Sequence, residues 1–238
     1  MSEVGTPAEL AARLSAELPK QRGFEWNREK WAKVVHDVSD AQATVDSLPA
    51  VLDREVIREV VQENLVRDRV LGAFVPVMIW GGPGGYGPFR TRSILTGERT
   101  RSNVDSPVID SIRDRLIRGA ELARKENLVD AFYYLNNKEG HVNYLGGAFF
   151  TKWMSFSTMT ESVDDKRVAP ILDKRVRDWI VAKVPADELV GFRVDRTRGY
   201  ELYLSLLDNW GAPFSRTRSQ VELAIFELTR DRPYSKNG

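Results

Sequence analysis

Three stretches of this 238-residue chain hold residue types that can do chemistry. In "WGGPGGYGPFRTR", residues 80–92, a run of glycines stands beside Tyr86, Phe89, Arg90 and Arg92. A turn of this kind can cradle the phosphates of a nucleotide, touch a nucleic acid, or simply let the chain double back. In "EGHVNYLGGAFFTKWMSF", residues 139–156, Gly146 and Gly147 come just before a helix carrying Phe149, Lys152 and Trp153, with His141 close upstream. Glycines at a helix N-terminus leave backbone amides open to an approaching phosphate oxygen; equally, a glycine pair between helices serves as an ordinary C-cap. In "APILDKRVRDWI", residues 169–180, Asp173 opens a helix directly after an apolar Pro-Ile-Leu, where an N-cap and a carboxylate held for chemistry are both possible.

The nucleotide reading of the first stretch fails on context. Gly82, Gly84 and Gly87 formally fit G-x-G-x-x-G. A dinucleotide fold needs a helix to begin at once, whereas Pro88-Phe89-Arg90-Thr91-Arg92 lacks helical apolar spacing and no alternation of strands and helices follows. Nor does Gly-Lys-Ser/Thr occur, which excludes a P-loop. What is left is a loop, either structural or in contact with a ligand through Tyr86, Phe89, Arg90 and Arg92.

The elements around these stretches read as helical. Thr6-Pro7-Ala8-Glu9 offers an N-cap and capping-box glutamate ahead of Leu10, Leu14 and Leu18. "VLGAFVPVMIW" (70–80) is apolar on all sides and is expected as a buried helix bent near Pro76. Ser106-Pro107 is expected to open a long helix on Ile109, Ile112 and Leu116, and further sets follow at Leu172 to Ile180, Tyr200 to Leu207 and Val221 to Leu228. The expectation is an all-α chain of about ten helices, without repeats or linkers, forming one domain over 1–238 with 1–75 as an N-terminal extension.

Composition bounds the rest. A net charge of +1 leaves any basic surface local, as in the arginine clusters at 90–101, 174–177, 193–198 and 216–218. Without cysteine there is no disulfide framework and no thiolate chemistry, and His36 and His141 are too far apart in sequence for a zinc pattern. No signal-peptide pattern and no run of 18 apolar residues is present, so the expected location is the cytoplasm and no membrane partner is expected.

The order of glycine hairpin, aromatic helix, polar loop and apolar-Asp-x-x-Val resembles the helix-hairpin-helix DNA glycosylases, the superfamily that includes the archaeal and eukaryotic 8-oxoguanine glycosylases. "GGAFFTKWMSF", "PILDKRV" and "SRTRSQVELAIFEL" are similar to its bacterial 8-oxoguanine glycosylase-like branch, over roughly 75–230. The resemblance implies two helical lobes with a cleft, and a monomeric enzyme that flips a damaged or modified base out of DNA and cuts its glycosidic bond. By position, Asp173 takes the role of the catalytic aspartate. Two departures stand out: Tyr144 occupies the place of the first hairpin glycine, and Ala148 the place of the lysine of bifunctional members, with Lys152 one turn later on the same face. Gly146, Gly147 and His141 would meet DNA, as would Tyr86, Phe89, Arg90 and Arg92. Trp153 and Trp210 are candidates for the wall of a base pocket, with burial in the core as the alternative. The resemblance implies no required cofactor, only a monovalent cation at the hairpin. A non-catalytic helical DNA-binding protein using the hairpin alone is the competing function.

Overall fold

The computed structural model describes residues 4–230 apart from 19, 84, 100–104, 126, 191 and 194. Gly84 of the glycine-rich stretch and Arg101 of the first arginine cluster therefore lie outside the described residues. The chain is all-α, with α1 Ala8–Ser15, α2 Arg28–Val35, α3 Ser39–Ser47, α4 Arg54–Val66, α5 Val70–Gly81, α6 Gly87–Thr96, α7 Ile112–Arg124, α8 Leu128–Asn136, α9 Gly147–Thr158, α10 Lys174–Lys183, α11 Thr197–Gly211 and α12 Arg218–Arg230. Two short strands, β1 Phe24–Glu25 and β2 Val51–Leu52, pair antiparallel with Phe24 opposite Leu52.

The helix α5 is the axis of the fold. Every residue from Val70 to Ile79 is buried, which is why its sequence shows no polar face. It packs against α3, α4, α6 and α9. The crossing with α3 and α4 needs Gly72, since a Cβ there would lie 2.5 Å from Asn64 Oδ1 and 2.9 Å from the Asp40 carbonyl. In the second half, α7, α8, α9 and α11 pack around Phe132, Phe150 and Tyr200, whose rings meet at centroid distances of 4.6–4.9 Å. The first helix closes on the last across nearly the whole chain: α1 packs on α12, Trp179 Nε1 donates to Glu9 Oε1 at 2.7 Å, and Arg216 Nε donates to the Leu14 carbonyl at 3.0 Å.

Four local expectations change. The loop expected after Gly82 is short, because α6 starts at Gly87 with Pro88 in its first turn, where the missing N–H costs nothing. Apolar spacing does not announce α6 because it buries Thr91 and Arg92 by hydrogen-bonding them rather than by apolar contact. Since α5 ahead of it is a helix and not a strand, the dinucleotide fold is absent all the same. The helix expected from Ser106 begins at Ile112, as Ile109 N–H is instead taken by the Leu95 carbonyl at 2.9 Å. The first helix stops at Ser15, short of Leu18, and its N-cap is Pro7 without a side-chain bond. The glycine pair is not the C-cap of the preceding helix, since α8 ends at Asn136, well short of Gly146.

Candidate active site

Asp173 is the N-cap of α10 and also faces a lysine, because its two oxygens are divided. Oδ1 accepts from the N–H groups of Arg175 at 2.9 Å and Val176 at 3.1 Å, while Oδ2 faces Lys152 Nζ at 3.6 Å. The extended segment in front of it is bolted to the core by four hydrogen bonds. Thr158 Oγ1 accepts from Ala169 N–H at 2.9 Å and Thr151 Oγ1 from Leu172 N–H at 3.2 Å. Tyr200 and Tyr203 donate to the carbonyls of Pro170 at 3.1 Å and Ile171 at 2.8 Å. Burial raises the pKa of both phenols, so they stay donors at any physiological pH. Tyr203→Phe would strand the Ile171 carbonyl. The expected result is a loss of about 1–3 kcal/mol in urea unfolding, with slowed turnover because Asp173 loses its anchor.

Lys152 projects from the second turn of α9 and is 6% exposed. Its amine folds back over one turn of the helix to donate to the Ala148 carbonyl at 2.9 Å. Burial lowers its pKa, and the neighbouring Asp173 offsets only part of that. An amine so placed has a larger neutral, nucleophilic fraction near pH 7 than an exposed lysine. Its stem runs past Phe149 and across Gly81, where an added Cβ would sit 2.9 Å from Lys152 Cδ and 3.1 Å from Phe149 Cε1. The glycine-rich stretch thus contributes room for the lysine. Gly81→Ala is expected to move the amine by a fraction of an ångström and to lower kcat by about 10-fold to 10²-fold with the fold intact, as read by single-turnover kinetics and thermal unfolding.

The hairpin lies directly ahead of this pair. Tyr144 has φ +66°, a left-handed conformation that favours glycine. The first amides of α9, those of Gly147 and Ala148, make no backbone hydrogen bond among the described residues and stand at the positive end of the helix. Gly146, Tyr144 and His141 are exposed beside them. From α6, Arg90 lays its guanidinium over the Phe149 ring at 4.5 Å and over Tyr86 at 5.8 Å, and Tyr86 and Phe89 are exposed with their rings 6.3 Å apart. Together they make an aromatic and cationic surface next to the lysine.

Three residues expected at the DNA surface or base pocket are elsewhere. Arg92 is 2% exposed, and its guanidinium clasps Asp37 at 2.6 and 2.8 Å and the Ser106 carbonyl at 2.6 Å, which removes it from any phosphate. Trp153 is fully buried with Nε1 donating to the Leu116 carbonyl at 2.9 Å. Trp210 is fully buried against Trp179 and donates to the Val4 carbonyl at 3.2 Å. Both tryptophans fill the core and line no base pocket.

Two charged residues that sequence reasoning passed over complete the site from behind. Glu222 on α12 and Arg54 on α4 are both buried, with Arg54 Nη2 donating to Glu222 Oε2 at 3.4 Å. Burial, reinforced by the charge of Asp173 and opposed by Arg54 and Lys152, pushes the Glu222 carboxyl up to about 7. Neither residue sits in a motif, and 168 positions separate them.

A carboxylate and a buried amine thus stand face to face, with a glycine hairpin ahead of them and an aromatic, cationic surface alongside. The chain belongs to the family described as "Putative 8-oxoguanine DNA glycosylase OGG-like protein", whose model matches residues 17–226. Neither the curated proteins nor the solved structures contain a match to it. Among the described residues no helix is long and apolar enough to cross a membrane, and no group of three or more His, Asp or Glu side chains is placed to hold a metal ion.

Proposed function

We propose that this protein is a monomeric DNA glycosylase with lyase activity, in which Asp173 and Lys152 act on the anomeric carbon of an extruded nucleotide. The single observation that carries this reading is the 3.6 Å approach of the buried Lys152 amine to the free oxygen of Asp173. Scission of the bond between C1′ and the base builds positive charge on the sugar, and the Asp173 carboxylate stabilises it. The neutral amine of Lys152 attacks C1′, and the departing base leaves with the bonding electron pair and takes up a proton. The attached nitrogen then loses a proton and the sugar ring opens to a Schiff base, from which elimination of the 3′ phosphate breaks the strand. A base inside a duplex is beyond reach, so the nucleotide has to be extruded, at a cost of a few kcal/mol that a damaged base lowers.

The remaining parts hold the DNA. The amides of Gly147 and Ala148 receive a phosphate beside the lesion, and Arg90 neutralises a neighbouring one. Tyr86, Phe89 and Phe149 stack on bases or fill the gap left in the helix. A monovalent cation suits the hairpin, where the carbonyls of Asn143, Tyr144 and Leu145 accept no backbone hydrogen bond among the described residues; it would add positive charge at the phosphate. The substrate is an oxidised guanine or a hypermodified base of viral DNA, which makes the role either repair or antiviral defence.

The test is direct. Purified protein is incubated with duplexes carrying 8-oxoguanine and with viral DNAs carrying hypermodified bases, and alkali-labile abasic sites are counted. Release of one class of base supports the proposal and names the substrate. Binding to DNA with no base released from any of these substrates supports a non-catalytic DNA-binding protein instead.

A further inference from the structure

The catalytic reading leaves the pair Arg54 and Glu222 without a task. Packing of α4 on α9 and of α10 on α12 brings these two to the pair Lys152 and Asp173, and the four make one buried group whose charges act on one another. All four side chains are largely withdrawn from solvent, with 5%, 5%, 7% and 17% of their surfaces exposed for Arg54, Glu222, Lys152 and Asp173. A buried cluster of this kind is stable only while its charges cancel, because each uncompensated charge in a weakly polarisable interior costs several kcal/mol.

Two arrangements cancel. In one, Lys152 and Arg54 are cations and Asp173 and Glu222 are anions. In the other, Lys152 is neutral, Glu222 carries a proton, and Arg54 alone balances Asp173. An arginine keeps its charge in proteins, and Asp173 Oδ1 is already occupied as the acceptor of two backbone N–H groups. The group whose charge is free to follow the lysine is therefore Glu222.

We infer that Glu222 is a positioning residue for Lys152: it takes up the proton when the lysine gives one up, so that the amine becomes a nucleophile without leaving a net charge in the core. This rests on the functional reading above but concerns the free protein. The proton count is conserved, since the hydrogen that leaves Nζ ends on a carboxyl oxygen of Glu222 and the cluster stays at net zero in both arrangements. The groups facing Glu222 are Arg54 from α4, Lys152 from α9, Asp173 at the start of α10, and Tyr200 and Tyr203 from α11. The helix α1 also packs on α12 but turns Glu9 to Trp179 and Lys183. Facing Lys152 are Asp173, Glu222 and Arg90. Burial as the leading influence on both Glu222 and Lys152, raising the acid and lowering the base, moves their titrations toward each other.

The experiment follows the Lys152 13Cε and Glu222 13Cδ signals by NMR through a pH titration of the full chain without DNA. Glu222→Gln fixes the second arrangement, with a neutral group hydrogen-bonded to Arg54. Losing the negative charge makes protonated Lys152 less favourable, so its midpoint is expected to fall by about one pH unit, and Glu222→Asp is expected to restore it. The reciprocal variant Lys152→Met removes a positive charge from beside Glu222 and is expected to raise the glutamate's midpoint by a similar amount. Either variant is enough on its own, so one that fails to fold leaves the other to decide. Midpoints unchanged within 0.3 unit, on the order of a 2-fold change in protonation, overturn the inference. Coupled titrations in a protein that releases no base would leave the cluster standing and remove the glycosylase reading, whereas base release with uncoupled titrations would do the reverse.

Discussion

Replacing Asp173 with asparagine is expected to lower the rate of base release by about 10²-fold to 10³-fold while leaving fold and DNA affinity in place. The variant separates the two duties of this side chain. Asparagine is as good an N-cap as aspartate, so its oxygen continues to accept from Arg175 and Val176 N–H groups and α10 keeps its start. Only the charge is lost. Lys152, relieved of the one carboxylate within 4 Å among the described residues, has even less reason to hold a proton, so an inactive variant cannot be attributed to a protonated amine. Single-turnover release of the base is the readout, with melting temperature and DNA binding as controls. Full activity in Asp173→Asn would remove the carboxylate from the chemistry.

The largest effect on stability is expected at Arg92→Met, at about 2–4 kcal/mol, out of a total of about 5–15 kcal/mol for a protein of ordinary stability. The methionine fills the volume but leaves the carbonyls of Val34 and Ser106 without the guanidinium that holds them at 3.3 and 2.6 Å, while the partly exposed Asp37 loses its ion pair and falls back on water. Burial works to raise the Asp37 pKa, yet the hydrogen bonds and charge of Arg92 prevail and lower it below the usual 3.8. A carboxyl lowered by folding stabilises the protein above its unfolded pKa, and that contribution disappears as pH falls through the folded one. The gap between wild type and variant in urea unfolding is therefore expected to be widest near neutrality and to narrow below about pH 4. A variant as stable as wild type would return Arg92 to the surface and to a phosphate-binding role.

These two residues also mark how far the sequence can be read. Asp173 is legible because an apolar Pro-Ile-Leu followed by aspartate and a helical pattern is a local signal, and local signals survive in the sequence. The buried α5 is legible for the same reason, since ten consecutive buried positions leave no polar face to confuse the pattern. Arg92 misleads because its partner Asp37 is 55 residues away, and an arginine in a glycine-rich stretch looks the same whether it meets a phosphate or a carboxylate. Trp153 and Trp210 illustrate the complementary difficulty: a tryptophan on an amphipathic helix shows which side is apolar, not whether that side faces a cavity or the core. Arg54 and Glu222 are invisible, being single charged residues on unrelated helices that only the closure of α4 and α12 around α9 brings behind Lys152. The displacement of the lysine by one turn from the usual place shows in the sequence as a difference. What the sequence cannot show is that the amine folds back over that turn to the Ala148 carbonyl.

The central claim is that the Lys152 amine stands at the reacting carbon, and borohydride reduction during turnover tests it most directly. A duplex carrying the excised base is mixed with the protein and reductant, and the protein–DNA adduct is digested and mapped by mass spectrometry. One modified peptide is predicted, with the reduced sugar on Lys152 and none in Lys152→Met. Abasic sites accumulating with no adduct, or an adduct on any other amine, would contradict it.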